Sequence, residues 1–301
     1  MQVNGVHIED TFAEAFPMWG ARVVITAATA RWALVAARAM TGFATSVIGC
    51  GCEAAIERSV PHTPDGRPGI SVLVFAISRD RLRSALVDRI GQAVMTCATT
   101  ACYSGLREVE EWLPVGAALR YFGDGFQRRK RIEGQRYWRI PVMDGEFVVE
   151  EHFGVARAVG GGNFLVLARD EATGLQAAWA AARAARTVEG VALPFPGGVV
   201  RSGSKVGSRY RFLTASTNDR YCPTLRWRTQ TALPPDVCAV YEIVIDGLGE
   251  EPVREAMRRG ILAACREGVV SISAANFGGR LGAYHFRLRE ILAGSLSQED
   301  R

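Results

Sequence analysis

Short apolar runs alternate with amphipathic stretches along this chain, and the alternation occurs twice. Residues 22–27 (Arg-Val-Val-Ile-Thr-Ala) and 70–77 (Ile-Ser-Val-Leu-Val-Phe-Ala-Ile) have the length and β-branched content of strands. After the first, Trp32, Val35, Ala36, Ala39 and Met40 fall near one helical face; after the second, Leu82, Leu86 and Ile90 recur at every fourth residue, running to Val94. Thr41-Gly42 stops the first helix, because Gly accepts the left-handed conformation at a C-terminal cap. Residues 43–49 (Phe-Ala-Thr-Ser-Val-Ile-Gly) read as a further strand, Asp65-Gly66-Arg67-Pro68-Gly69 as a turn and 96–102 as a last strand. The order is βαββαβ, the split motif of a ferredoxin-like fold.

The same order returns downstream. Residues 163–169 read as a strand, 174–187 as an Ala-rich helix, and 188–202 as extended around Pro194-Phe195-Pro196-Gly197-Gly198. Residues 238–246 are a strand, Val253, Met257 and Ile261 mark a helix over 251–265, and 268–276 close the set. The helices 80–94 and 251–265 each carry an interior glycine, Gly91 and Gly260. The expectation is an α+β protein with two ferredoxin-like (βαββαβ) lobes related by internal duplication, over 1–155 and 156–301. The first lobe takes an inserted antiparallel layer at about 117–150, where Tyr137–Ile140 and Glu146–Val149 alternate around a hairpin turn at Asp144-Gly145. The second holds a long polar stretch, 203–234, without a clear period; such loops are usually functional or disordered. Residues 295–301 read as a frayed tail.

Composition narrows the function classes. No apolar run approaches the roughly 18 residues of a membrane span, and the first residues lack the pattern of a signal peptide, so the reading is cytoplasmic with no membrane partner. The net charge of +5 over 301 residues is not a nucleic-acid footprint. The dense basic run, Arg128-Arg129-Lys130-Arg131, reads either as a solvated turn between strands or as a landing site for an acidic coenzyme tail or partner. The seven cysteines form no CxxC pair, and His7, His62, His152 and His285 lie far apart, so neither a disulfide frame nor a metal site is signalled.

Glu242 is a lone carboxylate in an apolar strand. Burial disfavours its charged form, and a carboxylic acid kept neutral can donate a hydrogen bond or a proton. It reads equally as an acid of this kind and as a structural carboxylate, paired with an arginine or facing water. The segments 202–208, with Ser204 and Lys205, and 216–224 concentrate small polar groups, yet neither matches a phosphate-binding loop. The pairs Gly161-Gly162 and Gly278-Gly279 read as tight turns or as places where backbone approaches a planar ligand. Thr11-Phe12-Ala13-Glu14 is a capping-box pattern, which accounts for Thr11 and Glu14 and leaves His7, Glu9 and Asp10 open. No motif indicates a covalent nucleophile.

The chain resembles the formylmethanofuran:tetrahydromethanopterin formyltransferases. The likeness rests on Asn4–Phe16, Thr63–Gly69, Phe122-Gly123-Asp124-Gly125, Gly161-Gly162-Asn163-Phe164 and Pro194–Gly198. It continues through Ser204–Ser208, Ala215–Asp219, Val240-Tyr241-Glu242-Ile243-Val244-Ile245 and Ala275–Gly279, in order over nearly the whole length. The resemblance implies formyl transfer between methanofuran and tetrahydromethanopterin, which are coenzyme substrates. It implies no permanently bound cofactor, no metal and no covalent enzyme intermediate. It also implies homo-oligomers, dimers or tetramers. The family glutamate acting at the formyl carbon falls on Glu242. The coenzymes are then expected at His7, Thr11, Asp124, Asn163, Gln176, Lys205, Ser216, Thr217, Asn218, Asp219, Tyr221, Tyr241 and Asn276. The Arg-rich composition, including Arg226 and Arg228, departs from acidic archaeal members. It resembles homologues of methylotrophic bacteria, in which formylmethanofuran hydrolase subunits are partners. The competing readings are a non-catalytic coenzyme-binding or scaffold subunit and a ferredoxin-like regulatory domain; the second would leave the long polar loops unexplained.

Overall fold

The computed structural model describes residues 1–132, 134–203 and 205–296. Ser204, singled out above, and 297–301, most of the expected tail, lie outside the described residues; Ser295 and Leu296 still belong to the helix Leu288–Leu296. The protein is α+β and divides into two compact units, one of Met18–Ala158 and the other of Met1–Pro17 with Val159–Arg301. Both boundaries fall inside long strands, Phe12–Thr26 and Phe153–Ala168. Among the described residues no helix is long and apolar enough to cross a membrane.

In the unit Met18–Ala158, the strand residues Trp19 to Thr26 pair antiparallel with Gly69–Ala76, and Val23 to Thr26 pair on the other side with Ala101–Ser104. Glu53–Val60 covers the far edge of Gly69–Ala76. Gly145–Glu150 joins Ala101–Ser104 in parallel, and Gln135–Val142 and Arg128–Ile132 extend the sheet antiparallel. The helices Ala30–Thr41 and Arg79–Arg89 bury Ala33, Ala36, Ala37, Met40, Leu82 and Leu86 against Val23, Ile25, Val72 and Val74. A π-helical turn, Ile90–Val94, prolongs the second helix.

Three expectations are corrected here. Residues 43–49 are not a strand: Ser46 caps a one-turn helix, Val47–Cys50, and Glu53 accepts the Val47 N–H at 2.9 Å. Phe43 is 81% exposed and only Ala44 of the run is buried, so no alternating buried face holds it in a sheet. The strand is Glu53–Val60, whose charges hid it. Its Glu57 is gripped by Arg22 at 2.6 and 2.8 Å and by the Ser71 hydroxyl at 2.6 Å. The basic run is an exposed strand, Arg128–Ile132, rather than a turn. The hairpin tip after Val142 is Met143-Asp144, because Gly145 already pairs with Val142.

In the other unit, Val159–Ala168 lies between Val269–Ser273 and Ala239–Gly247, antiparallel to both. Val191–Ala192 and a bridge from Val200 to Glu242 flank Ala239–Gly247 on its other side. Val6–Ile8 runs parallel to Val269–Ser273, and Gln2–Val3 folds back onto it. The sheet is therefore mixed. The helices Glu171–Ala185 and Glu250–Ala264 cover one face, packing Ala177, Ala178, Ala181 and Ala182 over Phe164, Val166, Ile243 and Ile245. Gly260 is required by this packing, since a Cβ there would stand 2.8 Å from Phe164 Cζ.

The opposite face carries Leu165, Leu167 and Val240, and the polar stretch folds onto it through Tyr221 and Leu233, joined by Val237 just beyond it. The described residues of that stretch carry regular structure. It contains a hairpin of Lys205–Val206 with Ala215–Ser216 and the 3₁₀ turns Asp219–Tyr221 and Pro223–Leu225. Arg226 ties it down by donating to the carbonyls of Leu233, Pro234 and Val237 at 3.1, 2.8 and 2.6 Å. Thr11 and Glu14 do not cap a helix. Phe12–Thr26 is a strand, and its residues Phe12 to Ala15 pair with Tyr284–Arg287.

Candidate active site

Strand alternation decides where Glu242 points. Successive side chains face opposite sides of a sheet. Ile243 and Ile245 face the helices, Tyr241 packs there too, and Glu242 faces the folded-over polar segment. It lies opposite Leu165, which in turn lies opposite Ser273, so the three share one row and one face. On the other flank the backbones of Val200 and Glu242 exchange hydrogen bonds of 2.8 and 3.0 Å. Glu242 is 3% exposed and borders a cavity of about 30 Å³. Its walls include Ser202, Gly203, Asn218, Tyr221 and Cys222. Gly203 adopts φ +72°, and a Cβ there would stand 2.8 Å from the Asn218 backbone nitrogen, so this wall closes only with glycine.

Lys205, Ser216, Thr217 and Asp219 meet in a wider neighbouring hollow of about 490 Å³, together with Tyr210 and Arg228. Lys205 Nζ lies 2.5 Å from Asp219 Oδ1, and that hydrogen bond holds the Asp219 carboxyl below its ordinary range. Ser216 donates to the Gly207 carbonyl at 2.7 Å, and the Thr217 hydroxyl lies 3.3 Å from Cys222 Sγ.

A third group centres on a residue the sequence assigned elsewhere. Glu14 is 1% exposed and its carboxylate accepts four backbone N–H groups: Phe277 at 2.7 Å, Gly279 at 2.9 Å, Gly282 at 2.6 Å, and Leu281. Burial alone would raise its pKa, but these four donors outweigh it and bring the carboxyl down to about 2. The loop so held presents Asn276, whose amide donates to Thr11 Oγ1 and the Phe12 carbonyl at 3.2 and 3.1 Å. Asn163, 6% exposed, accepts the Ala275 N–H at 2.7 Å and donates back to the Ala275 carbonyl at 3.1 Å.

The expected residues thus fall into distinct places. Glu242, Asn218 and Tyr221 share the narrow cavity; Lys205, Ser216, Thr217 and Asp219 share the hollow; Thr11, Asn163 and Asn276 shape the loop. Tyr241 donates from the opposite face to the Glu171 carbonyl at 3.4 Å, and burial pushes its phenol pKa up. Gln176 is exposed on the helix Glu171–Ala185, and His7 is exposed on Val6–Ile8. Asp124 is exposed in the unit Met18–Ala158, in the left-handed region after a 3₁₀ turn. Sequence reading missed Glu14 and Ser273. Pairing register, which a single sequence does not print, was the signal that would have found Ser273, and the placement of the loop at 277–282 the one for Glu14.

Two family models match in tandem. One, described as formylmethanofuran-tetrahydromethanopterin formyltransferase, covers residues 1–142, and the other, its proximal lobe, covers 145–291. A formylmethanofuran–tetrahydromethanopterin formyltransferase of Methylococcus capsulatus is 57% identical, over 97% of this chain and all of that protein. A subunit of the formyltransferase/hydrolase complex of Methylorubrum extorquens is 51% identical, over 96% of this chain and 97% of that one. The crystal structure of the M. extorquens complex with methylofuran contains a chain that superposes with a TM-score of 0.94 at 49% identity, covering 97% of this chain and 98% of that one. The Methanosarcina barkeri formyltransferase superposes with a TM-score of 0.91, also at 49% identity, over 97% and 100%. With both halves matched and relatives this similar along their whole length, the chain belongs to the formylmethanofuran–tetrahydromethanopterin formyltransferase family.

Proposed function

We propose that this chain moves a formyl group between methanofuran and tetrahydromethanopterin, with Glu242 acting at the reacting carbon. The pterin nitrogen attacks the formamide carbon, the C–N bond forms, and the carbonyl electrons move onto oxygen. Collapse of the tetrahedral centre breaks the bond to the methanofuran nitrogen; the pterin nitrogen gives up its proton, and the methanofuran nitrogen takes one up and leaves as an amine. The reverse direction uses the same steps. Glu242 as a neutral acid hydrogen-bonds the developing oxyanion, and the loss of one such donor typically costs about 3 kcal/mol. Holding both coenzymes together supplies much of the remaining rate.

The observation that carries this reading is Glu242, 3% exposed beside a cavity of about 30 Å³, room for one small polar group. The hollow around Lys205 and Asp219, and the loop held by Glu14, are the candidate walls for the larger parts of the two coenzymes. A coupled assay of formyl exchange tests the proposal. No transfer by the purified protein, alone or with hydrolase subunits, ends it. Near-normal turnover in Glu242→Gln ends the acid role alone.

Each unit reads as a ferredoxin-like lobe, and the pair as an internal duplication with its division near residue 155. What supports this is the strand order 4-1-3-2, found in 101–104, 18–26, 69–76, 53–60 and again in 269–273, 159–168, 239–247, 191–192. The M. extorquens relative is named as a subunit of a formyltransferase/hydrolase complex, which supports hydrolase subunits as partners here beside, or in place of, further copies of this chain. The exposed strand Arg128–Ile132 is the candidate contact for an acidic partner, and the cytoplasm is the expected compartment.

A further inference from the structure

Glu242 does not stand alone on its face of the sheet. The row through Leu165 to Ser273 continues onto the next strand. Val6–Ile8 runs parallel to Val269–Ser273 with Ile8 opposite Ile272, which brings Glu9 beside Ser273. Ser273 is 1% exposed, and its hydroxyl lies 2.5 Å from Glu9 Oε2 and 3.3 Å from the Tyr221 hydroxyl. Tyr221 is a wall of the Glu242 cavity.

The direction of this chain of bonds follows from elementary inventory. A carboxylate only accepts, so Ser273 spends its single hydrogen on Glu9 and can only accept from Tyr221. The Tyr221 hydrogen is then committed to Ser273, and its oxygen has only lone pairs to offer in the cavity. We infer that Glu9 and Ser273 are positioning residues that fix Tyr221 as a hydrogen-bond acceptor, suited to the N–H of an amine rather than to a developing oxyanion. The inference rests on the formyl-transfer reading of the cavity. It gives the two polar groups opposite tasks: Glu242 faces the oxygen that gains charge, and Tyr221 faces the nitrogen that exchanges its proton.

The test combines kinetics with a signal independent of turnover. Tyr221→Phe and Ser273→Ala are each expected to lower kcat about tenfold, as for one lost hydrogen bond, with KM nearly unchanged. The double variant is expected to be no slower than Tyr221→Phe, and Ser273→Thr is expected to restore the rate. In parallel, the ¹³Cζ resonance of Tyr221, assigned by its disappearance in Tyr221→Phe, is expected to move in Ser273→Ala and return in Ser273→Thr. Additive losses in the double variant, or an unmoved resonance, overturn the inference. An inactive wild-type protein strikes the formyl-transfer reading instead, while the resonance still decides whether Ser273 orients Tyr221.

Discussion

Replacing Glu14 by Gln changes a single atom type at a carboxylate that organises a loop. The four N–H groups of Phe277, Gly279, Leu281 and Gly282 divide between its two oxygens, two to each. A Gln amide keeps one accepting oxygen and turns an NH₂ toward the other two donors. An unsatisfied buried donor costs about 1–3 kcal/mol, and the loop relaxes partly toward water, so Glu14→Gln is expected to cost about 3 kcal/mol. For a unit of this size that corresponds to about 6–12 °C in melting temperature. The pH dependence has a definite sign. The folded carboxyl sits at about 2 against an ordinary value of 4.5, so its stabilisation is complete above pH 4.5 and is lost as the pH falls toward 2. Calorimetry of wild type and Glu14→Gln between pH 7 and 3 should show a wide gap near neutrality that narrows in acid. A gap below 1 °C at pH 7, or one that does not change with pH, refutes the reasoning.

Other consequences can be measured as directly. Gly116→Ala would put a Cβ 2.0 Å from the Glu150 carbonyl oxygen, a backbone atom that cannot step aside, so a lower urea midpoint worth about 2–3 kcal/mol is expected. Arg107→Met removes the guanidinium that grips Glu150, which is 1% exposed, and should cost about 3 kcal/mol because a buried charge loses its partner. Both are read by denaturant titration, and an unchanged midpoint counts against the packing described. Arg226→Ala should speed limited proteolysis between 203 and 237, while cleavage elsewhere stays as in wild type.

Much of this architecture could be read from residues. The apolar runs at 70–77, 163–169 and 238–246 became strands, and the four-residue spacings at Leu82 and Val253 became helices, because burial on one face imposes those periods. Glu53–Val60 escaped because its charges are satisfied by Arg22 and Ser71, which come from elsewhere in the chain. Glu242 was legible as a carboxylate among apolar neighbours. The Glu14 clamp was not, since a capping pattern and a strand carboxylate look alike until the loop at 277–282 is in place. The site row was equally hidden: its members stand at 9, 165, 242 and 273, and only strand register brings them level.

That row also ties activity to the order of synthesis. Glu9 is made 264 residues before Ser273, and Val6–Ile8 waits for its parallel partner until Val269–Ser273 exists. A chain still on the ribosome can complete the unit Met18–Ala158 while the strand that precedes it waits, unpaired with its parallel partner. Closure of so distant a contact is slow by topology, and it is the step that brings Glu9 beside Ser273. Regain of transfer activity should therefore trail the recovery of secondary structure during refolding, and a bulky fusion ahead of Val6 should lengthen that lag.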